Sequence, residues 1–149
     1  MSAIDEFDAR ILRQLEMSGR MSWAELSSEV HLSPTAVADR VRRMEREGII
    51  RRYRADVDPA AYGRTTRAVI EVGLIAGAHA EEFEERLRTR AEIAFAAYVT
   101  GSSDYSLQCD CEGSDGLDAL VRWLRADPAV ARTETRFILR VVREGADKC

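Results

Sequence analysis

Arginine is concentrated in one short part of the sequence. Between Pro34 and Arg54 there are seven arginines against three acidic residues, although the whole chain has a net charge of -4. A guanidinium group offers a planar fork of N–H donors that pairs well with phosphate oxygens, so such a cluster is suited to binding phosphates. The acidity of the whole chain argues against coating of nucleic acid along its length, but it allows a local basic patch.

Most of these arginines belong to a predicted helix. Ser33 followed by Pro34 is a strong start signal, and a glycine closes the segment after Glu47. On a helical wheel, an apolar stripe faces the core and a basic side faces away from it. The stripe contains Val37, Val41 and Met44, the opposite side contains Thr35, Asp39, Arg42, Arg43 and Arg46, and Ala36 and Arg40 lie on the flanks. Such a helix suits a duplex groove, and an arginine-rich solvated helix is the alternative interpretation.

Two shorter helices are predicted before the basic one. Residues 4–17 have apolar side chains at helical spacing, Asp5 can cap their helix, and Asp8 lies in its first turn, where negative charge suits the helix dipole. Ser22 followed by Glu25 is a capping box that starts a second helix. Three short helices with a tight turn before the basic one favour a helix-turn-helix domain.

The second half of the sequence predicts a different architecture. A short strand over residues 49–58 is broken by Asp58-Pro59, and the elements that follow have the order β-α-β-β-α-β of a ferredoxin-like unit. The expected fold class is therefore α+β. The predicted domains are a winged-helix-like helix-turn-helix domain over residues 1–58, a linker over 59–66, and a ferredoxin-like domain over 67–149.

Two of the predicted strands are apolar on both faces. The strand over residues 92–99 alternates apolar side chains on each side, and the last strand, over residues 129–142, shows Phe137 on one face and Ile138 on the other. Because the two helices can cover only one face of a four-stranded sheet, another surface should cover the second face. The most economical candidate is the same sheet of an identical copy, in a twofold homodimer.

These patterns together resemble the Lrp/AsnC family of leucine-responsive, or feast/famine, transcription regulators. The resemblance covers nearly the whole chain and depends on the order of several segments. They are IDEFDARIL, GRMSWAEL, VHLSPTAVADRVRRMEREGIIRRYRADVD, VTGSSDYSL and AVARTETRFIL. The resemblance implies a sequence-specific regulator of transcription that binds double-stranded DNA, responds to an amino acid or a related small molecule, and forms homodimers that assemble into tetramers to octamers. An effector-blind architectural DNA-binding protein of the same fold is the alternative.

The resemblance also indicates which residues should contact DNA. The recognition helix of the family corresponds to Ser33 through Glu47 of this chain. Asp39 could accept a hydrogen bond from a cytosine amino group or pair with Arg42 or Arg43, and pairing is favoured. The groove candidates are Ser33, Thr35, Ala36, Asp39, Arg40 and Arg43, and the phosphate candidates are Arg42, Arg46, Arg51, Arg52 and Arg54.

In the family, the effector binds near the turn after the second strand of the second domain, at a subunit interface. Glycine lets backbone N–H groups approach a carboxylate, serine hydroxyls add donors, and Asp104 could meet an α-ammonium group. The alternative is a hairpin turn in which Asp104 caps its own backbone. The matching residues are Thr100, Gly101, Ser102, Ser103, Asp104 and Tyr105.

Other chemistries have weaker support in the sequence. The two histidines are poorly spaced from Cys109 and Cys111 for a metal site, and no residues have the pattern of a catalytic triad, so we expect neither a metal nor an enzyme. Cys109 and Cys111 are predicted on one strand face with Tyr105 and Leu107, in the core. Oxidation sensing by these thiols or by Cys149 would need exposure and a lowered pKa.

The sequence contains neither a secretory signal nor an apolar run long enough to span a bilayer, so we expect a cytoplasmic protein without membrane contact. No cofactor is expected apart from the amino-acid effector.

Overall fold

The structure is a computed structural model that describes residues 4–142. The chain divides into two compact units, of which the first runs to Asp56 and the second spans Val57–Val141. Across residues 4–142, none of the helices combines the length and the apolar content that crossing a bilayer would require.

Three helices form the first unit. They are α1 (Glu6–Met17), α2 (Trp23–Val30) and α3 (Pro34–Arg46). Asp5 and Asp8 cap α1 reciprocally, and Ser22 and Glu25 do the same for α2. The Ser33 side chain accepts a hydrogen bond from the third residue of α3. The caps predicted at all three helix starts are therefore confirmed.

One apolar cluster holds these helices together. Its fully buried members are Ile11 of α1, Leu26 and Val30 of α2, and Val37, Val41 and Met44 of α3. The stripe predicted for α3 is confirmed, so this helix is docked by one face and its opposite face is left outside the core.

The segment after α3 is not a strand. Residues 51–58 have no regular structure and are exposed, so the predicted strand over 49–58, and with it any strand of a wing, is wrong for the described chain. An extended segment becomes a strand only when a neighbour pairs with its backbone, and no strand within residues 4–142 does so here. The Tyr53 hydroxyl instead donates a hydrogen bond to Glu45 of α3 at 2.9 Å, and the partial desolvation of Tyr53 together with this carboxylate raises its pKa to about 12.

The second unit has the predicted β-α-β-β-α-β order. Its elements are β1 (Thr66–Leu74), α4 (Ala80–Arg88), β2 (Ile93–Tyr98), β3 (Tyr105–Cys111), α5 (Gly113–Ala126) and β4 (Val130–Phe137). The strands pair antiparallel in the order β2-β3-β1-β4. The last strand ends at Phe137, so the strand faces predicted for residues 138–142 are wrong.

Both helices of the second unit pack on one face of the sheet. Phe83 and Leu87 of α4 and three leucines of α5 join the inward side chains of β1 and β3 in one buried cluster. Tyr105, Leu107, Cys109 and Cys111 all point into this cluster, as predicted for β3. The sheet therefore has one covered face.

The opposite face of the central strands carries charged residues. Glu71 of β1 accepts hydrogen bonds from Ser106 of β3 and Arg136 of β4, both at 3.0 Å. Arg67 of β1 lies 3.0 Å from Asp110 of β3. The apolar second face that was predicted from two strands therefore does not extend to the central strands β1 and β3.

Exposed apolar side chains lie at the two edges of the sheet instead. Phe95 and Tyr98 of β2 and Phe137 of β4 are each more than half exposed. The two strands that were predicted to be apolar on both faces are β2 and β4. Both are edge strands, so each has a neighbouring strand on one side only.

Candidate nucleic-acid interface and effector turn

The face of α3 opposite the core is open to solvent. Thr35, Asp39, Arg42 and Arg46 are all exposed there. Arg42 Nη1 lies 3.3 Å from Asp39 Oδ1, so the pairing predicted for Asp39 is present. Both side chains are more than 60% exposed, and such a surface pair contributes little free energy, so Arg42 can exchange this carboxylate for another anion.

The start of α3 follows a tight turn. His31 ends α2 in the left-handed conformation, with φ of 57°, and Ser33 starts α3 two residues later. The Ser33 hydroxyl oxygen accepts a hydrogen bond from the Ala36 N–H at 3.2 Å. Ser33, which was predicted to contact a groove, therefore caps α3 with its hydroxyl. Thr35, two residues later, is exposed.

Arg40 and Arg43 turn away from the open face, towards α1. Arg40 Nη1 lies 2.5 Å from Asp5 Oδ2 and 2.9 Å from Asp8 Oδ1, and its guanidinium lies 5.5 Å from the centre of the Phe7 ring. Arg43 Nη2 donates to Asp8 Oδ2. The structure therefore separates these two arginines from the other predicted DNA contacts.

Asp8 is the centre of this arrangement. Its side chain is fully buried, and its two oxygens accept from Arg40, Arg43 and the backbone N–H of Asp5. Burial alone would raise the pKa of the Asp8 carboxyl, but the hydrogen bonds from Arg43, Arg40 and Asp5 outweigh it and hold the pKa below its ordinary value. The carboxylates of Asp5 and Asp8 in turn raise the pKa of Arg40.

The remaining arginines of the basic patch are exposed. Arg46 lies at the end of α3, and Arg51, Arg52 and Arg54 lie in the irregular segment after it. Within residues 4–142, none of these four side chains forms an ion pair. Their guanidinium groups are available to phosphates.

In the second unit, the predicted effector turn lies between β2 and β3. Gly101 has φ of 122°, a conformation that favours glycine, and Thr100 to Ser102 are exposed. Asp104 Oδ2 accepts from the Leu74 N–H at 2.7 Å, and the Asp104 N–H donates to the Val72 carbonyl at 2.9 Å. The Asp104 side chain therefore ties the turn to β1 and does not cap its own turn.

Tyr105, the last predicted residue of the effector site, belongs to the core. Its ring packs edge-on against Phe83 and Tyr98, with ring centres 5.3 Å apart in each pair. Its hydroxyl donates to Glu84 Oε1 at 2.8 Å, and burial together with this carboxylate raises the pKa of Tyr105 to about 12.

A cavity of about 410 Å³ lies between α4 and β2, beside Tyr105. Its polar lining includes Glu84 and Arg88, and its apolar lining includes Leu87 and Ile93. The volume is within the range of about 300–1,000 Å³ that is usual for small-molecule sites. The sequence did not reveal this cavity, because it depends on the distance between a helix and an edge strand.

Two family models match the chain. The model of the AsnC-type helix-turn-helix domain matches residues 4–45, and that of the Lrp/AsnC ligand binding domain matches residues 67–147. The second alone covers more than half of the chain. The chain belongs to the Lrp/AsnC family.

Known Lrp/AsnC proteins resemble this member over most of their length. The leucine-responsive regulatory protein of Haemophilus influenzae is 35% identical over 145 residues, which cover 95% of this chain and 87% of that protein. The HTH-type transcriptional regulator AldR of Mycolicibacterium smegmatis is 32% identical over 143 residues, which cover 94% of this chain and 84% of that protein. Because its relatives are transcriptional regulators, this chain is a DNA-binding regulator and not an enzyme.

The fold is shared with solved members of the Lrp/AsnC family. A transcriptional regulator of Neisseria meningitidis in complex with L-Met superposes with a TM-score of 0.92 at 28% identity, covering 97% of this chain and 95% of that one. A feast or famine regulatory protein of M. tuberculosis complexed with L-methionine has a TM-score of 0.90 at 27% identity, covering 98% of this chain and 99% of that one.

Cys109 and Cys111 of this Lrp/AsnC chain do not form an exposed redox pair. Cys109 and Cys111 are buried and free, and burial raises the pKa of both, that of Cys109 to about 12. Cys149 lies outside the described residues. Among residues 4–142, no three histidine, cysteine or acidic side chains come together as metal ligands.

Proposed function

We propose that this Lrp/AsnC regulator reads double-stranded DNA in the cytoplasm with the exposed face of α3 and that an amino acid bound to its second unit controls promoter occupancy. The observation that carries the proposal is that α3 is docked on the core by Val37, Val41 and Met44, while Arg42 and Arg46 remain on the open side. A helix held in this way can enter a major groove without disturbing the core.

The proposed DNA contacts follow from position and charge. Thr35, Ala36 and Asp39 lie in the first half of α3, where small and polar side chains can reach base edges, and Ser33 orients them as the helix cap. Arg42 and Arg46 of the open face, with Arg51, Arg52 and Arg54 beyond it, would neutralise phosphates and make the affinity salt-dependent. Arg40 and Arg43 leave the proposed contact set, because Asp5 and Asp8 already bind them.

The proposed effector is an amino acid bound by the turn from Thr100 to Tyr105 and by the adjoining cavity. Asp104 uses Oδ2 for the Leu74 N–H, which leaves Oδ1 for an α-ammonium group. Gly101, Ser102 and Ser103 offer backbone and hydroxyl donors to a carboxylate. Leu87 and Ile93 of the cavity would accommodate an apolar side chain, and two structurally similar relatives were solved with methionine.

We further propose that copies of the chain form homodimers and that these assemble into tetramers to octamers. The exposed Phe95, Tyr98 and Phe137 at the sheet edges support association, because aromatic side chains are enriched in the interfaces between subunits. Sedimentation velocity of the full chain tests this proposal. A monomer at all concentrations would refute it.

The effector part of the proposal is tested by titration calorimetry of the full chain with each of the twenty amino acids, combined with genomic footprinting with and without those that bind. We expect heat from at least one apolar amino acid and a changed footprint in its presence. DNA binding without any heat or change in assembly would instead favour an effector-blind architectural protein.

A further inference from the structure

We propose that Asp8 of α1 is a positioning residue for DNA binding: it holds Arg40 and Arg43 of the recognition helix away from DNA, so that the charge offered to phosphates is that of Arg42, Arg46 and the arginines after α3. The inference rests on the proposed DNA-binding function. It adds that the first helix determines which arginines of the third helix can take part.

The geometry of the carboxylate is the first support. Asp8 Oδ1 accepts from Arg40, and Oδ2 accepts from Arg43 and the Asp5 N–H, so both oxygens are engaged. The Asp8 side chain is fully buried, whereas that of Asp39, the acidic residue on the open face, is 69% exposed. A buried carboxylate cannot turn to water when its partners leave.

The cost of releasing the arginines is the second support. If Arg40 or Arg43 moved to a phosphate, the buried Asp8 carboxylate would lose part of its compensating charge, and removing one partner of a buried ion pair is strongly unfavourable. Arg42 can leave Asp39 without that penalty, because both partners are exposed. The same α-helix thus carries arginines that are fixed and arginines that are free.

The accessibility of the guanidinium-bearing side chains agrees with this division. Arg40 and Arg43 are 29% and 30% exposed, against 61% for Arg42. Arg40 is further held by Asp5 and by the face of the Phe7 ring. Asp5, Phe7 and Asp8, at the start of α1, therefore surround Arg40 of α3.

The test compares nonspecific binding of variants to a mixed-sequence DNA duplex over a range of salt concentrations, measured by fluorescence anisotropy. Asp8→Asn keeps the shape of the side chain, removes the charge that holds Arg43 and leaves Arg40 with Asp5 as its only carboxylate partner among the described residues. We expect it to bind the duplex more tightly than wild type, with a slope of log K against log salt that is steeper by about 0.9 for each new phosphate contact, or up to about 1.8 for each engaged helix. A general loss of structure would weaken binding instead.

Asp39→Asn is the matched control, because it changes the net charge of the same unit by the same amount but removes a carboxylate that is exposed. We expect the slope of Asp39→Asn to change less than that of Asp8→Asn, since Arg42 is already accessible in the wild-type protein. The triple variant Asp8→Asn/Arg40→Gln/Arg43→Gln should keep the wild-type slope. A shallower slope in the triple variant, or an Asp8→Asn slope equal to that of Asp39→Asn, would overturn the inference.

A measurement on the wild-type protein decides the matter if Asp8→Asn fails to fold. Phenylglyoxal modification read by mass spectrometry should show protection of Arg42 and Arg46 by the duplex, with Arg40 and Arg43 unchanged by its presence. Protection of Arg40 or Arg43 by DNA would contradict this inference but would leave the proposed function standing. Failure of wild type to bind the duplex even at about 50 mM salt would reject the proposed function itself, and the inference with it.

Discussion

The carboxylate of Asp104 accepts a hydrogen bond from the backbone N–H of Leu74 at 2.7 Å, at the position where the pairing of β1 with β4 shifts register. The pairing of β1 with β3 ends at Val72 and Tyr105, so the N–H of Leu74 has no strand partner on that side. Asp104 therefore has a structural role in addition to the proposed contact with an effector. The two roles can be separated, because only one of them needs a charge.

We expect Asp104→Asn to keep the hydrogen bond to Leu74 through its amide oxygen and to lose the attraction for an α-ammonium group. Its thermal unfolding should match wild type, while calorimetry should show at least tenfold weaker amino-acid binding. Asp104→Ala, which lacks the acceptor, should also lose roughly 1–2 kcal/mol of stability. Unchanged amino-acid affinity in Asp104→Asn would show that Asp104 is only structural.

Filling the cavity between α4 and β2 tests whether the effector uses it. Ala96 lines the cavity and is exposed, so Ala96→Phe can occupy the space without displacing the buried cluster. We expect loss of the calorimetric signal for the amino acid, with the unfolding midpoint and DNA binding in its absence unchanged. Full retention of the signal would place the effector outside this cavity.

The buried thiols should be inert in the folded protein. With a pKa of about 12, roughly one Cys109 thiol in 10⁴ is ionised at about pH 8, and Cys111 is buried beside it. In a Cys149→Ser variant we expect no reaction with a disulfide reagent until denaturant is added, and then two equivalents. Rapid reaction of the native variant would indicate that β3 opens.

The first unit should lose stability in acid. Because the folded-state pKa of Asp8 lies below its ordinary value of about 3.9, its contribution is complete above that pH and is lost as pH falls through the lowered value. In a Trp123→Phe background, the free energy of urea unfolding followed at Trp23 should therefore fall below about pH 4. Asp8→Asn should cost about 1–3 kcal/mol at neutral pH and flatten this dependence.

The matched control for the acid dependence lies in the second unit. Asp127 is buried, and its two oxygens accept from Arg86 at 2.6 Å and 2.9 Å, which holds its pKa low against the effect of burial. Asp127→Asn, followed at Trp123 in a Trp23→Phe background, should flatten the acid dependence of that unit alone. If Asp8→Asn leaves the acid dependence at Trp23 unchanged, the Asp8 ion pairs do not stabilise the first unit.

Local signals made much of the fold predictable. Ser22 with Glu25 and Ser33 with Pro34 marked helix starts that the structure confirms, because a cap is decided within one turn. The alternation from Tyr105 to Cys111 likewise placed one face of β3 in the core. The segment over 49–58 was misjudged because a strand also needs a partner, which local sequence does not specify.

The candidate DNA interface was predictable only in part, for the same reason. The wheel placed Arg43 on the open side, but its partner Asp8 is 35 residues away in the sequence and belongs to another helix. One signal was available. Asp8 lies three and four residues before Ile11 and Leu12, on the apolar stripe of α1, where a carboxylate requires cationic partners.

The most direct test of DNA reading by the open face of α3 is the salt dependence of duplex binding by Arg42→Gln/Arg46→Gln. Arg122→Gln/Arg125→Gln on the exposed side of α5 removes the same charge from the second unit and is the control. We expect the α3 variant to lose about 1.8 from the slope of log K against log salt for each engaged helix, and the α5 variant to keep it. Equal slopes for wild type and the α3 variant would contradict the account.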